Sequence, residues 1–114
     1  MEKFVEQTLL YDFYGELLTE HQRRIYEDVV LNDYSLSEVA QDLGISRQGV
    51  HDNIKRCNKT LAEYESKLQL VHRFLLIKDK IHEIHTLVQR VEDITKEEMA
   101  SQVEKISQEI LEEL

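Results

Sequence analysis

One stretch of the sequence, residues 46–61, carries the side chains that could bind a polyanion. It holds four cations against one carboxylate, a net charge of +3 in a chain whose formal net charge is −9. Its apolar residues recur at helical spacing and predict the buried stripe of a helix: Val50, Ile54, Cys57 and Leu61. The outward face would then present side chains of the kind that contact phosphates and base edges: Arg47, Gln48, His51, Asp52, Lys55, Arg56 and Lys59.

The residues just before this stretch predict the element that must position it. Four apolar residues at helical spacing indicate a short first helix: Leu36, Val39, Ala40 and Leu43. Gly44 follows, a residue that tolerates the positive φ at which many helices end. Ile45 fills the corner, and Ser46 can cap the second helix. The pattern predicts a helix-turn-helix, a geometry that also occurs in proteins that bind only other proteins.

The rest of the N-terminal half predicts further helices. The chain has 114 residues, no proline and three glycines, which indicates an all-α protein. Residues 3–17 carry two adjoining apolar stripes, so we expect this helix to be buried on two sides. Thr19 and Gln22 form a capping box that opens the next helix.

The C-terminal half contains an apolar heptad pattern, here called the seam, which consists of Leu70, Phe74, Ile77, Ile81, Ile84, Val88 and Val91. No helix breaker is evident between Leu61 and Asp93. Thr95 and Glu98 predict the start of a last helix that folds back as a hairpin. Its inward residues would be Met99, Val103, Ile106 and Ile110. We expect the seam to pair two copies of the chain, the alternative being an intramolecular packing against residues 3–17.

Together these patterns predict an all-α chain with a helix-turn-helix domain over residues 1–62. A long helix and a C-terminal helical hairpin over residues 63–114 would form the self-association element.

The sequence contains no pattern typical of metal binding, catalysis or membrane insertion. His82 and His85 lie three residues apart on the seam helix, but no third or fourth metal ligand is evident, so we expect no metal site. There is no glycine-rich phosphate loop and no nucleophile beside a base, so we expect neither catalysis nor a cofactor. No run of 18 apolar residues predicts membrane insertion, and no signal peptide is evident. A single cysteine, Cys57, on a buried stripe suggests a reducing compartment, hence the cytoplasm.

Two family resemblances add to this reading. Residues 18–25, 36–40 and 43–47 resemble region 4 of bacterial sigma-70 factors, a helix-turn-helix that reads the promoter −35 element. That resemblance implies that the outward residues named above face a groove. The chain lacks the polymerase-binding regions of sigma factors.

The second resemblance covers nearly the whole chain. Residues 2–8, 10–19 and 46–56 are similar to the YlxM family of small bacterial proteins, which are encoded beside components of the signal recognition particle pathway. This resemblance implies a non-enzymatic, cytoplasmic accessory or regulatory protein that acts on DNA, on the particle's RNA or on its GTPases. The alternative is a protein-interaction module that docks on those GTPases without touching nucleic acid.

Overall fold

The computed structural model describes residues 1–114 and contains helices and no strand, which confirms the predicted all-α class. The six α-helices are α1 (Lys3–Tyr14), α2 (Glu20–Tyr26), α3 (Leu36–Leu43), α4 (Arg47–Leu68), α5 (Leu70–Gln89) and α6 (Lys96–Glu113). A 3₁₀ turn, Gly15–Leu17, follows α1, and a wider π-type turn, Glu27–Leu31, continues α2.

The chain divides into two compact units, an N-terminal unit, Met1–Val71, and a C-terminal unit, His72–Leu114. The boundary predicted between residues 62 and 63 lies inside α4, which runs on to Leu68. No helix is both long enough and apolar enough to cross a membrane.

The first part of the N-terminal unit's core joins α2, α3 and α4. Ile25, Val39, Ala40 and Val50 form a buried cluster. Half-buried apolar side chains close its margin: Val29, Leu36, Leu43, Ile45 and Ile54. The Thr19 capping box predicted for α2 is present, since the Thr19 side chain accepts from Gln22 N and the Gln22 side chain accepts from Thr19 N. The apolar spacing read from the sequence therefore sets the helix-turn-helix core.

The second part of this core is aromatic and was not predicted. Tyr26 is fully buried, and its ring stacks on that of Tyr11 with 5.4 Å between centroids. Its hydroxyl donates to Asn58 Oδ1 over 2.6 Å, and Gln7 Nε2 donates to the same oxygen over 3.2 Å. Burial raises the pKa of Tyr26 to about 12. Cys57, also enclosed, has its thiol pKa raised by burial.

Helix α1 is covered on one side only, so the expectation that it is buried on two sides is wrong. Tyr14 is 1% exposed and faces the core, whereas Phe4 is 55% and Phe13 38% exposed. The N-terminal unit has too few elements to cover both stripes, because α1 packs on α4 and on the turn after α2.

The sequence predicted no break between Leu61 and Asp93, and this is also wrong. Helix α4 ends at Leu68, and Gln69 adopts a left-handed conformation with φ 54°. Side chains satisfy the first amides of α5, because Leu70 N donates to the Tyr14 hydroxyl (3.1 Å) and Val71 N donates to Glu65 Oε1 (3.1 Å). The Tyr14 hydroxyl in turn donates to Glu65 Oε1 over 2.5 Å. Contacts distant in sequence thus stabilise a break for which no glycine or proline gives a local signal.

The C-terminal unit is a hairpin of α5 and α6 with a small interior. Leu87 and Ile106 are its buried residues, and the Thr95 side chain caps α6 by accepting from Glu98 N over 3.0 Å. Lys80 of α5 donates to Glu109 of α6, and this pairing raises the pKa of Lys80 and lowers that of Glu109.

Two positions in this unit differ from expectation. Val103, predicted inward, is 44% exposed because it lies to one side of the line of contact between the helices. Val91, the last residue of the seam, lies in the turn after α5 instead of on the helix.

Candidate nucleic-acid interface

The turn between α3 and α4 is built as the sequence predicted. The Ser35 hydroxyl accepts from Glu38 N over 3.1 Å and caps α3. Gly44 ends that helix with φ 67°, a backbone conformation that glycine adopts without a Cβ penalty. The Ser46 hydroxyl accepts from Gly49 N over 2.9 Å and caps α4. Capped at both sides of a short turn, the two helices are held in a helix-turn-helix.

Helix α4 is anchored by the stripe that the sequence predicted. Val50, Cys57 and Leu61 are each 0% exposed, and Ile54 is half-buried against the core. Because a helix turns about 100° per residue, this stripe directs the opposite side of α4 to solvent. All seven predicted contact residues are exposed, Arg47 at the first position of the helix and the others away from the stripe: Arg47, Gln48, His51, Asp52, Lys55, Arg56 and Lys59.

The cations of this face are free of internal pairing. No lysine or arginine of α4 forms an ion pair within 4.0 Å, and on this face only His51 and Asp52 lie that close, 3.8 Å apart. The first turn of α4 also contains no acidic residue. The partial positive charge of the helix N-terminus and the side chain of Arg47 therefore favour an anion at the start of α4, and Lys55, Arg56 and Lys59 extend the positive charge along the helix.

Asp52 is the one carboxylate of this face, and it lies opposite the buried stripe. Gln48 Nε2 donates to Asp52 Oδ1 over 3.0 Å, and His51 Nδ1 lies 3.8 Å from the same oxygen. The three side chains form a polar cluster that can accept from a donor or donate to an acceptor. Lys55 and Arg56 follow one turn later, so the cluster has cations beside it.

Comparison with known proteins agrees with this architecture. Residues 1–110 match the model of the UPF0122 family, described as "Putative helix-turn-helix protein, YlxM / p13 like". The chain belongs to this family. A UPF0122 protein of Thermoanaerobacter sp. (strain X514) is 45% identical over 113 residues, 99% of this chain and 94% of that protein.

Two further UPF0122 relatives extend the match. One from Acetivibrio thermocellus is 54% identical over 84 residues, which cover 74% of this chain and 72% of that protein. One from Halalkalibacterium halodurans is 37% identical over 106 residues, which cover 93% and 95%. The similarity to the YlxM family inferred from the sequence is thereby confirmed.

In this UPF0122 chain, two side chains that position the candidate interface were not identified from the sequence. The hydrogen bonds of Tyr14 and Glu65 fix the point where α4 gives way to α5, and so set the length of the helix that carries the candidate interface. A carboxylate four residues before the break was the available signal, but its partner Tyr14 is 51 residues away. No group of three His, Cys, Asp or Glu side chains could hold a metal ion.

Proposed function

We propose that this UPF0122 chain is a non-enzymatic, nucleic-acid-binding accessory or regulatory protein that binds through the exposed face of α4. One observation carries the proposal. The second helix of a capped helix-turn-helix presents Arg47, Lys55, Arg56 and Lys59 to solvent, without a carboxylate within 4.0 Å of any of them. In a chain of net charge −9, the concentration of four cations against one carboxylate over residues 46–61 suits this helix to an external anion.

The four cations would neutralise phosphates, and binding would then weaken steeply as salt rises, because each neutralised phosphate releases counterions. Gln48 and His51, near the start of α4, would contact base edges, as the resemblance of residues 18–61 to sigma region 4 implies. A single helix gives weak binding. Two copies joined in one assembly would raise the effective concentration of the second helix.

The cellular setting follows from the YlxM resemblance. It implies a cytoplasmic role beside the signal recognition particle, with DNA or the particle's RNA as the nucleic acid and the targeting GTPases as the protein partners.

A second candidate function is supported by the acidic composition of the chain that follows the candidate interface. Residues 62–114 hold twelve acids against seven lysines and arginines, a balance of −5. Several of these acids are exposed on α6: Glu97, Glu98, Glu104 and Glu112. Such a surface fits the basic domain of a protein partner, with the helix-turn-helix serving as scaffold.

The double variant Arg47→Ala/Lys55→Ala tests the first function. We expect it to weaken binding to duplex DNA or to the particle's RNA about 10- to 100-fold at low salt, and to reduce the salt slope by about 2, one for each lost phosphate contact. Asp52→Asn should act in the opposite direction, because it removes the one negative charge of the face. A salt-titrated gel shift on both nucleic acids measures all three proteins.

The matched control is Lys78→Ala/Lys96→Ala, which removes the same charge from exposed positions outside the helix-turn-helix. Equal weakening by both double variants would show a general charge effect and overturn the α4 interface. No binding by the wild type, together with capture of a purified targeting GTPase that is lost when the α6 acids are neutralised, would establish the second function instead.

A further inference from the structure

The centre of the exposed face of α4 holds two hydrogen-bonded polar side chains, Gln48 and Asp52. Because a helix turns about 100° per residue, these residues lie closest to the line opposite the buried stripe within the first two turns of α4. Lys55 lies to one side of that line and Arg56 to the other, and Lys59 returns to it two turns after Asp52. The side chains at the start of α4 that would reach deepest into a groove are therefore an amide and a carboxylate, with cations beside them.

The carboxylate of Asp52 is directed toward the start of the helix. Gln48 Nε2 donates to Asp52 Oδ1 over 3.0 Å, and His51 Nδ1 lies 3.8 Å from the same oxygen. Lys55 and Arg56 follow Asp52 at i+3 and i+4, positions that can form ion pairs on a helix, yet neither has a nitrogen within 4.0 Å of it. Asp52 therefore orients an amide and does not neutralise a cation.

This hydrogen bond determines which way round the amide of Gln48 lies. An ionised carboxylate only accepts hydrogen bonds, so turning the amide over would place Gln48 Oε1 against an oxygen of Asp52. The nitrogen is held beside Asp52 instead. Because Nε2 carries two hydrogens, the one that donates to Asp52 leaves the other for a ligand. The amide therefore still offers one acceptor and one donor together.

Adenine is the base that matches this amide. In the major groove, adenine presents the acceptor N7 beside the donor N6–H₂, and a glutamine binds both at once. Guanine presents two acceptors there, N7 and O6, and Gln48 Oε1 would oppose one of them. B-form DNA admits a helix into its major groove, whereas the major groove of an RNA helix is too deep and narrow for side chains to read. The Gln48–Asp52 pair therefore favours duplex DNA.

We infer that Asp52 is a positioning residue, which sets the amide of Gln48 to bind an adenine in the major groove of duplex DNA. The inference rests on the proposed function, because it requires that the face of α4 contacts nucleic acid. The neighbouring cations bind phosphates of any sequence, so the Gln48–Asp52 pair supplies the preference between sequences. An exposed hydrogen bond of this kind is weak in water and strengthens when a groove excludes water.

Selection by the full chain from a library of duplex DNA with a randomised core tests the inference. We expect the wild type to enrich sequences that have adenine at one fixed position. Replacing that adenine by 7-deazaadenine removes the N7 acceptor and should weaken wild-type binding about tenfold. The same replacement should change the binding of Gln48→Ala by less than about twofold, because alanine makes no hydrogen bond to N7.

Two substitutions of Asp52 separate its acceptor oxygen from its charge. Asp52→Asn and Asp52→Ala both remove the negative charge, so both should strengthen binding to every sequence. Only asparagine keeps an oxygen that can accept from Gln48 Nε2. The preference for adenine over guanine should therefore stay within about twofold of wild type in Asp52→Asn and fall about threefold or more in Asp52→Ala. Arg56→Ala is the control, because loss of a phosphate contact should weaken all sequences alike and leave the preference unchanged.

The variants are compared once circular dichroism shows native helicity. Equal loss of the preference in both Asp52 variants would overturn the positioning role of the acceptor oxygen. A preference that survives Gln48→Ala or 7-deazaadenine would overturn the inference as a whole, as would binding to RNA but to no DNA duplex. In those cases the α4 interface still stands if Arg47→Ala/Lys55→Ala weakens binding. Absence of binding to either nucleic acid would overturn both the inference and the proposed function.

Discussion

The two units of this chain bury their side chains to very different extents. In the N-terminal unit, seven large side chains are less than 2% exposed, among them Tyr14, Tyr26 and Leu61. In the C-terminal unit, Leu87 at 9% and Ile106 at 4% are the buried residues. Three helices packed around α4 enclose a core, whereas two helices touch along one line. The first unit therefore has an enclosed core of its own, whereas the interior of the second is limited to the contact between its two helices.

The largest change in the free energy of unfolding should come from truncating one buried leucine in each unit. Leu61→Ala should destabilise the N-terminal unit by about 3 kcal/mol, since a fully enclosed leucine leaves a cavity. Leu87→Ala should cost less, because Leu87 lies at a partly open contact. All five tyrosines are in residues 1–71, so tyrosine fluorescence during urea unfolding reports the first unit while circular dichroism reports both. If Leu87→Ala moved the fluorescence transition as far as Leu61→Ala, the units would unfold as one body.

A smaller effect should appear in alkali, and it should be greater in the N-terminal unit, which holds three tyrosines with raised pKa values, than in the C-terminal unit, where Lys80 alone has a raised pKa. The pKa values of Tyr11, Tyr14 and Tyr26 are raised, first by burial, and that of Tyr26 reaches about 12. Because the folded unit holds these protons more tightly than the unfolded chain, the stabilisation is complete below pH 10 and is lost as pH rises toward 12. Each phenol contributes at most about 1.4 kcal/mol per pH unit.

Urea titrations at pH 8, 10 and 11 measure this loss. Tyr26→Phe should flatten the decline, because it removes one of the titrating groups. The C-terminal unit has no tyrosine and loses only the Lys80–Glu109 pair over this range, so its helicity should change less than the fluorescence transition does. A parallel decline of both signals would contradict the separation of the two units.

The smallest effect should come from Tyr14→Phe, where the tyrosine hydroxyl accepts from the first amide of α5. The substitution leaves the Leu70 amide without its hydroxyl acceptor and should cost about 1 kcal/mol. Hydrogen exchange at Leu70 and Val71 should quicken, whereas amides in the middle of α4 should keep their protection. Tyr64→Phe is a suitable control, since it removes a hydroxyl from the ring that stacks on Tyr14. Unchanged exchange at Leu70 would show that the break does not need this bond.

The N-terminal unit could be predicted further than the C-terminal one, for physical reasons. Caps at Thr19, Ser35 and Ser46 and the positive φ of Gly44 are local, so residue type and short spacing reveal them. The exposed face of α4 followed from the same periodicity. Its function as a contact surface stays a prediction, because exposure alone does not name a ligand.

The features that could not be predicted depend on residues distant in sequence, or on which of several apolar side chains a neighbouring helix covers. Gln69 has no intrinsic preference for its left-handed conformation, which is stabilised by Tyr14 and Glu65. Tyr26 is polar enough to be expected at the surface until Asn58 supplies an acceptor for its hydroxyl. Val103 belongs to the apolar stripe of α6, and the spacing of that stripe is the same whether one helix or two pack against it. Periodicity finds an apolar side, but only the fold shows which part of it is already covered.

The enclosed Cys57 makes the opening of the N-terminal unit measurable as a rate of thiol labelling. It is the sole thiol in the chain and is 0% exposed, so a thiol reagent reaches it only when the N-terminal unit opens. When reclosing is faster than labelling, the labelling rate measures how often that opening occurs in otherwise native protein. A ligand that stabilises the N-terminal unit should lower the rate of Cys57 labelling. Nucleic acid bound to the exposed face of α4 would do so from the side of the helix opposite Cys57.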